Sequence, residues 1–304
     1  MQLGLVGLGR MGGNMAERLR AAGHDVVGYD PHAEASNVSS LAELVEKLAA
    51  PRIVWIMVPA GDATRDTVAQ LGDLLAEGDM VIDGGNSRFT DDQKNAALLD
   101  EKSVRYVDCG VSGGVWGREV GYGLMCGGSK EDVERAMPIF DGLRPEGPRE
   151  EGFVHAGPVG AGHYSKMVHN GIEYGLMQAY AEGYELLLAK DLVEDVPGVV
   201  KAWSRGTVVR SWLLDLLVRA LDEDPGLAEL DAYVDDSGEG RWTVEEAIDL
   251  RVPMPAISAA LFARFSSRQD ASPAMKAVAA LRQQFGGHAV RHGGAESATL
   301  SRPS

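Results

Sequence analysis

The sequence predicts an α/β N-terminal domain built on a parallel sheet, followed by an all-α C-terminal domain. Three observations carry this. Short apolar runs alternate with helix-like stretches as far as residue 108. A glycine fingerprint, Gly7-Leu8-Gly9-Arg10-Met11-Gly12, sits between the first run and the first such stretch. From Tyr164 onward no clear strand pattern returns. A chain of 304 residues is long enough for two domains, each with its own core.

The elements follow in order. Residues 2–7 (QLGLVG) are short and apolar and read as a buried strand; a helix over 12–22 follows and is closed by Gly23. Residues 25–30 (DVVGYD) read as a second strand ending in an acid, and 40–49 as helix. The run 53–58 (IVWIMV) is a third strand stopped by Pro59, and 64–76 is periodic enough for a helix. Residues 80–83 form a strand halted by Gly84 and Gly85, 91–101 a helix, and 104–108 a strand. Continuous apolar strands separated by helices fit a parallel sheet covered on both faces, joined by right-handed crossovers. Residues 141–162 carry Pro, Gly and charge, and the domain boundary is expected there, separating 1–160 from 161–304. Beyond it, helices are expected over 164–190, 198–222, 243–250, 255–266 and 273–285, with a frayed Gly/Ser/Ala-rich tail.

Composition excludes several function classes. With 45 acidic against 29 basic residues the net charge is −16, which repels nucleic acid and anionic lipid. An anionic small molecule would need a local cluster of cations or helix N-termini. The two cysteines, Cys109 and Cys126, have no metal-ligand spacing and are expected to be free thiols in a reducing cytosol. The opening MQLGLVGLGRMGG lacks the pattern of a signal peptide, and no apolar stretch approaches the ~20 residues of a membrane span, so a cytoplasmic location is expected.

The fingerprint follows a strand, opens a helix and precedes Asp30 at the end of the next strand, the full context of a Rossmann-type dinucleotide site. Gly7 permits the tight turn, Gly9 lets the backbone approach the pyrophosphate, and Gly12 lets the helix pack on the strand; the helix N-terminus stabilises the pyrophosphate charge. Asp30 can accept from the ribose hydroxyls and repels a 2′-phosphate, and no Arg or Lys follows in Pro31-His32-Ala33-Glu34. The cofactor is therefore expected to be NAD, with NADP less favoured.

A second constellation lies at 166–174. On a helix, Lys166, His169, Asn170 and Glu173 fall at i, i+3, i+4 and i+7 and share a face. The glycine-rich run 157–162 directly precedes it and would let a ligand approach the backbone.

The runs GLGRMGGNMAERL, GGNS at 84–87, GVSGG at 110–114, GPVGAGHYSKMVHNGIEY at 157–174, RWT at 241–243, FARFSS at 262–267 and FGGH at 285–288 together resemble the 6-phosphogluconate dehydrogenase family. The glycine loop and the Lys166/Asn170 pair are shared with the wider β-hydroxyacid dehydrogenase superfamily; HNGIEY and FGGH are more specific. The resemblance implies oxidation of the C3 hydroxyl of 6-phosphogluconate by hydride transfer to the cofactor, then loss of CO2 and protonation to ribulose 5-phosphate. This is a step of the pentose phosphate pathway or of gluconate use. It implies Lys166 as the base, neutral when it takes the hydroxyl proton, Glu173 as the acid at C1, and Asn170 beside them. Val58, Pro59 and Asn86 would border the cofactor. Asn86, Ser112, Gly113, Gly114, His169 and Asn170 would hold the substrate's carboxylate and hydroxyls, and Tyr174, Arg241, Thr243 and Arg264 its phosphate. Arg282 and His288 match tail residues that reach a neighbouring subunit's site, so a homodimer or homotetramer is implied. No metal is required, and no His/Asp/Glu cluster that would hold one is visible in the sequence.

The chain also departs from the family. It has room for one helical domain where the longer form has two copies. Val115 stands where many members have Glu, Arg241 where many have Lys, and Pro59 where the longer form has Lys; Asp30 replaces the Asn-Arg-Thr run that reads a 2′-phosphate. Two competing readings are an NAD-dependent dehydrogenase of a smaller 3-hydroxy acid, which would not need Arg264, Arg282, His288 or Glu173, and a non-catalytic NAD sensor, against which the intact Lys166 face argues.

Overall fold

In the computed structural model, which describes residues 1–286 and 289, the chain divides into two compact units, Met1–Gly171 and Ile172–Ser304. The first unit carries seven strands in the order β2-β1-β3-β4-β5-β6-β7. Its elements run β1 (Gln2–Val6), α1 (Arg10–Ala21), β2 (Asp25–Tyr29), α2 (Leu41–Lys47), β3 (Ile53–Ile56), α3 (Asp62–Leu74), β4 (Met80–Asp83), α4 (Phe89–Asp100) and β5 (Arg105–Ser112). They continue with α5 (Gly117–Val120), β6 (Gly123–Gly127), α6 (Lys130–Leu143), β7 (Phe153–Gly157) and the start of α7 (Ala161–Leu188). The first five strands are parallel, as the apolar runs predict.

The strands alternate their side chains between two cores. Leu3, Leu5, Trp55, Ile82 and Val107 pack on one face against Met15 and Leu19 of α1 and Phe140 of α6. Val6, Val54, Ile56 and Val81 pack on the other against Leu44, Val68, Leu71 and Leu99 of α2, α3 and α4. All residues of β3 and β4 are buried, which is why β3 reads as an unbroken apolar run and β4 as one closed by Asp83. Ser40 and Ser129 cap α2 and α6 by accepting the Glu43 and Asp132 amides, which fixes where these helices begin.

The sheet departs from the expected pattern in its last two strands. β6 runs antiparallel to β5, because residues 113–122 are too few for a crossover and reverse the chain instead. β7 lies within the stretch expected to be a linker; it pairs with β6 and ends the sheet as a mostly exposed edge strand. His155 on β7 folds back so that its Nε2 lies 2.9 Å from the Gly128 carbonyl and 3.0 Å from that of Gly157. The helix α6 between them likewise lies outside the expected elements.

The second unit is helical: the remainder of α7, then α8 (Val196–Trp203), α9 (Trp212–Glu223), α10 (Glu239–Asp249), α11 (Pro255–Ser267) and α12 (Pro273–Gly286). The single helix expected over 198–222 is two, since Ser211 starts a new one by accepting the Leu214 amide. Its cores are small: Val200, Leu214 and Leu221 in one, and Tyr174, Ala260 and Leu261 in the other.

Candidate active site

A cleft of about 940 Å³ opens beyond the C-terminal ends of β1 to β4. Its lining includes Gly7, Gly9, Arg10, Met11 and Gly12, Asp30 after β2, Val58 and Pro59 after β3, and Asn86 after β4. The glycines have the space the fingerprint requires. A Cβ on Gly12 would lie 1.9 Å from the Gly7 carbonyl oxygen, whereas one on Gly9 would meet nothing within 4 Å, so that backbone faces open space. No acid sits in the first turn of α1, so its N-terminus is open to an anion. These residues fit a dinucleotide.

Asp30 is fixed from behind. Its Oδ2 accepts the Leu8 amide at 2.8 Å and its Oδ1 the His32 amide at 2.8 Å. Leu8, expected among the cofactor residues, is buried, with its side chain in the core and its amide committed to Asp30. Met57, Thr67, Gln70 and Val111, which no local motif marks, also line the cleft.

The first turns of α7 meet the sheet at β5. A Cβ on Gly110 would lie 2.4 Å from the Lys166 Cβ and 2.8 Å from the Gly162 carbonyl oxygen, so only glycine permits this approach. Lys166 is buried against Gly110, the strand neighbour of the cleft-lining Val111, and its Nζ donates to Asn170 Oδ1. The same oxygen lies 3.0 Å from His169 Nδ1, and His169 Nε2 lies 3.4 Å from the Ser112 hydroxyl at the end of β5. Gly113 and Gly114 follow with φ of +129° and +53°, turning the chain away. Four of the predicted residues, Ser112, Lys166, His169 and Asn170, are thus brought together.

Glu173 and Tyr174 follow on α7 in the second unit. There the Arg264 guanidinium stacks 3.5 Å from the centre of the Tyr174 ring, and the Tyr174 hydroxyl accepts the Ser237 amide at 3.2 Å. Thr243 is buried, its hydroxyl donating to the Glu239 carbonyl at 2.7 Å. Arg241 donates to Asp236 at 2.8 Å, and Asp236 also accepts from Arg268, a residue the sequence did not single out. Burial opposes the charge on Asp236, but Arg268 and Arg241 outweigh it and hold the carboxyl below its ordinary range. Arg282 lies exposed on α12, and His288 falls outside the described residues.

The fold assembles one His/Asp group that the sequence does not show. Asp83, Asp92 and His163, from β4, α4 and α7, are buried with ligand-capable atoms within 4.8 Å of one another. They lie up to 80 positions apart, so sequence spacing could not reveal them.

Residues 2–144 match the family model of the NAD-binding domain of 6-phosphogluconate dehydrogenase, and residues 162–297 match that of its C-terminal domain. The chain belongs to the 6-phosphogluconate dehydrogenase family. Within it, an NAD(+)-dependent, decarboxylating 6-phosphogluconate dehydrogenase of Haloferax volcanii is 43% identical over 300 residues, which cover 95% of this chain and 98% of that protein. The Plasmodium falciparum 6-phosphogluconate dehydrogenase structure superposes with a TM-score of 0.78 at 28% identity, covering 98% of this chain but 67% of that one. This chain therefore corresponds in length to the Haloferax relative and is shorter than the Plasmodium one. A Mycobacterium tuberculosis 3-hydroxyisobutyrate dehydrogenase shares the fold, with a TM-score of 0.69 at 23% identity over 88% of this chain and 94% of that one.

Proposed function

We propose that this chain oxidises 6-phosphogluconate at C3 with NAD and decarboxylates the product to ribulose 5-phosphate. Bound NAD supplies the hydride acceptor. Lys166 takes the C3 hydroxyl proton; as an ammonium it then polarises the new ketone, which receives the electron pair when the β-keto acid releases CO2. Asn170 fixes the Lys166 nitrogen. His169 and Ser112 hold substrate hydroxyls, with Asn86, Gly113 and Gly114 at the carboxylate. Glu173 protonates C1 of the enediol. Tyr174, Arg241, Thr243 and Arg264 bind the phosphate, and Arg241 exchanges its bond to Asp236 for one to the ligand.

The single observation carrying this reading is Lys166 itself. It is buried, bonded to Asn170 and packed on Gly110 beside the dinucleotide cleft. The fold relationship to a 3-hydroxyisobutyrate dehydrogenase keeps a smaller 3-hydroxy acid as the alternative substrate. The test is turnover with 6-phosphogluconate and with a phosphate-free 3-hydroxy acid, each with NAD and NADP. NADH and CO2 in equal amounts from 6-phosphogluconate are expected; NADH without CO2, or preference for the phosphate-free acid, overturns the reading.

The enzyme acts as a homo-oligomer whose tail, with Arg282 and His288, completes the neighbouring phosphate site. Supporting this, Met275, Val278 and Leu281 on α12 are all exposed, as are Leu186, Leu192 and Ile248 elsewhere in the second unit. A cytoplasmic location belongs to the same proposal. Among the described residues no helix is long and apolar enough to cross a membrane.

A further inference from the structure

Behind the cleft lies a buried polar network that the proposed chemistry does not use. Asp83, Asp92 and Asp108 are each 0% exposed and His163 is 2% exposed. Groups of this kind stay buried only when hydrogen-bonded or paired. Here every carboxylate oxygen has a donor. Asp83 Oδ1 accepts the Gly85 amide at 3.0 Å, and its Oδ2 accepts the Ser87 hydroxyl at 2.7 Å and shares the single Tyr106 hydroxyl proton, at 3.2 Å, with Asp92. Tyr106 also reaches Asp92 Oδ1 at 2.9 Å, and Asp92 Oδ2 accepts from His163 Nδ1 at 2.8 Å. Asp108 accepts the Gly160 and His163 amides at 2.7 and 2.9 Å, anchoring the first turn of α7. Through these bonds the cluster forms one continuous hydrogen-bonded lattice.

The lattice joins two segments. At one end is the 84–87 loop, whose Gly84, Gly85 and Asn86 line the cleft. At the other is His163, one helical turn before Lys166. Every link between them is a buried side chain from β4, α4, β5 or α7.

We infer that Tyr106, Asp92 and His163 are positioning residues that lock the 84–87 loop to the first turn of α7, keeping Asn86 and Lys166 in register. The inference rests on the roles proposed above for Asn86 and Lys166. The carboxylates around His163 also favour its cationic form: burial opposes the charge, but Asp92, Asp83 and Asp108 outweigh it and raise its pKa to about 10.

The test uses the full-length protein with His163→Leu, His163→Asn and Tyr106→Phe. In His163→Asn the amide nitrogen can stand in for Nδ1; Tyr106→Phe keeps the ring and removes only the bridge between Asp83 and Asp92. Because a misplacement of about 1 Å can lower turnover about 10²-fold, kcat with 6-phosphogluconate should fall to about that extent in His163→Leu. His163→Asn should recover most of the loss. Hydrogen–deuterium exchange should quicken at residues 84–88 in His163→Leu and Tyr106→Phe, although neither substitution touches that loop. This readout needs no substrate: if the wild type fails to turn over 6-phosphogluconate, the proposed function falls while the exchange result still decides the coupling. Should His163→Leu not fold, Tyr106→Phe carries the same test. Unchanged exchange at 84–88, or a kcat that stays at the wild-type level in every variant, overturns the inference.

Discussion

Replacing Gly110 with alanine tests whether the approach of α7 to β5 sets the geometry of the reaction. The added Cβ would stand 2.4 Å from the Lys166 Cβ and 2.8 Å from the Gly162 carbonyl oxygen. Carbon atoms pack at about 3.5–4.0 Å, so the Lys166 backbone must withdraw by roughly 1 Å. No rotamer change relieves the clash, because one partner is a Cβ and the other is main chain. Overpacking of this kind costs about 1–3 kcal/mol of stability. A displacement of that size at a catalytic group costs on the order of 10²-fold in rate, or about 2.7 kcal/mol of barrier. NAD affinity should hardly move, since Gly110 lies outside the glycine fingerprint. The assay combines kcat with 6-phosphogluconate, NAD binding by fluorescence quenching, and thermal unfolding. Gly9→Ala is the contrasting variant: its Cβ meets nothing within 4 Å, so the fold should keep its Tm while NAD binding weakens. A Gly110→Ala enzyme with wild-type kcat, or one losing NAD affinity as steeply as turnover, would refute the reasoning.

Other outcomes are equally concrete. Lys166→Met should lower kcat about 10²–10⁴-fold with NAD binding intact, and a variant keeping more than about a tenth of wild-type kcat is incompatible with its role as base. Glu173→Gln should slow solvent tritium incorporation at C1; an unchanged rate would remove Glu173 as the acid. Asp30→Ala with His32→Arg should shift preference toward NADP, but it also strips the Leu8 amide of its acceptor, at about 1–3 kcal/mol of stability. An unchanged ratio of kcat/KM for the two cofactors would mean Asp30 does not face the ribose. His163 has a folded-state pKa of about 10, above its ordinary 6.5, so its stabilisation is complete below pH 6.5 and is lost as pH rises toward 10. Tm should therefore fall more steeply above pH 6.5 in the wild type than in His163→Asn, and equal slopes would exclude His163 as the cause. Mixing Arg282→Ala with Lys166→Met subunits should restore activity if the tail acts across subunits; a mixture no better than its parents, with exchange confirmed, would place Arg282 elsewhere.

What could be read from the sequence followed from local patterns. The five parallel strands declared themselves because both faces are covered and every residue of β3 and β4 is apolar or buried. The glycine fingerprint and the Lys166/Asn170 spacing were legible because a turn and a helix face are short-range geometry. β6 and β7 were not: GLMCG is bracketed by glycines, and FVHAG is an exposed edge strand with no alternation to mark it. The Asp83–Tyr106–Asp92–His163 lattice was invisible for a different reason. Its members come from four separate elements, and only the crossover topology assembles them. The pairing of Arg241 and Arg268 through Asp236 was likewise a product of tertiary placement.

The β7 edge bears on how copies of this chain behave when crowded. A strand with one flank unpaired offers main-chain groups to which a second chain can add a strand, the usual first step of sheet-mediated aggregation. Two features blunt the template here. The strand has only five residues, and the His155 ring folds back onto the carbonyls of Gly128 and Gly157. The net charge of −16 adds repulsion between copies, most effective at low salt. Raising ionic strength removes that repulsion while leaving the exposed flank in place, so concentrated, high-salt solutions are where its main chain becomes a liability.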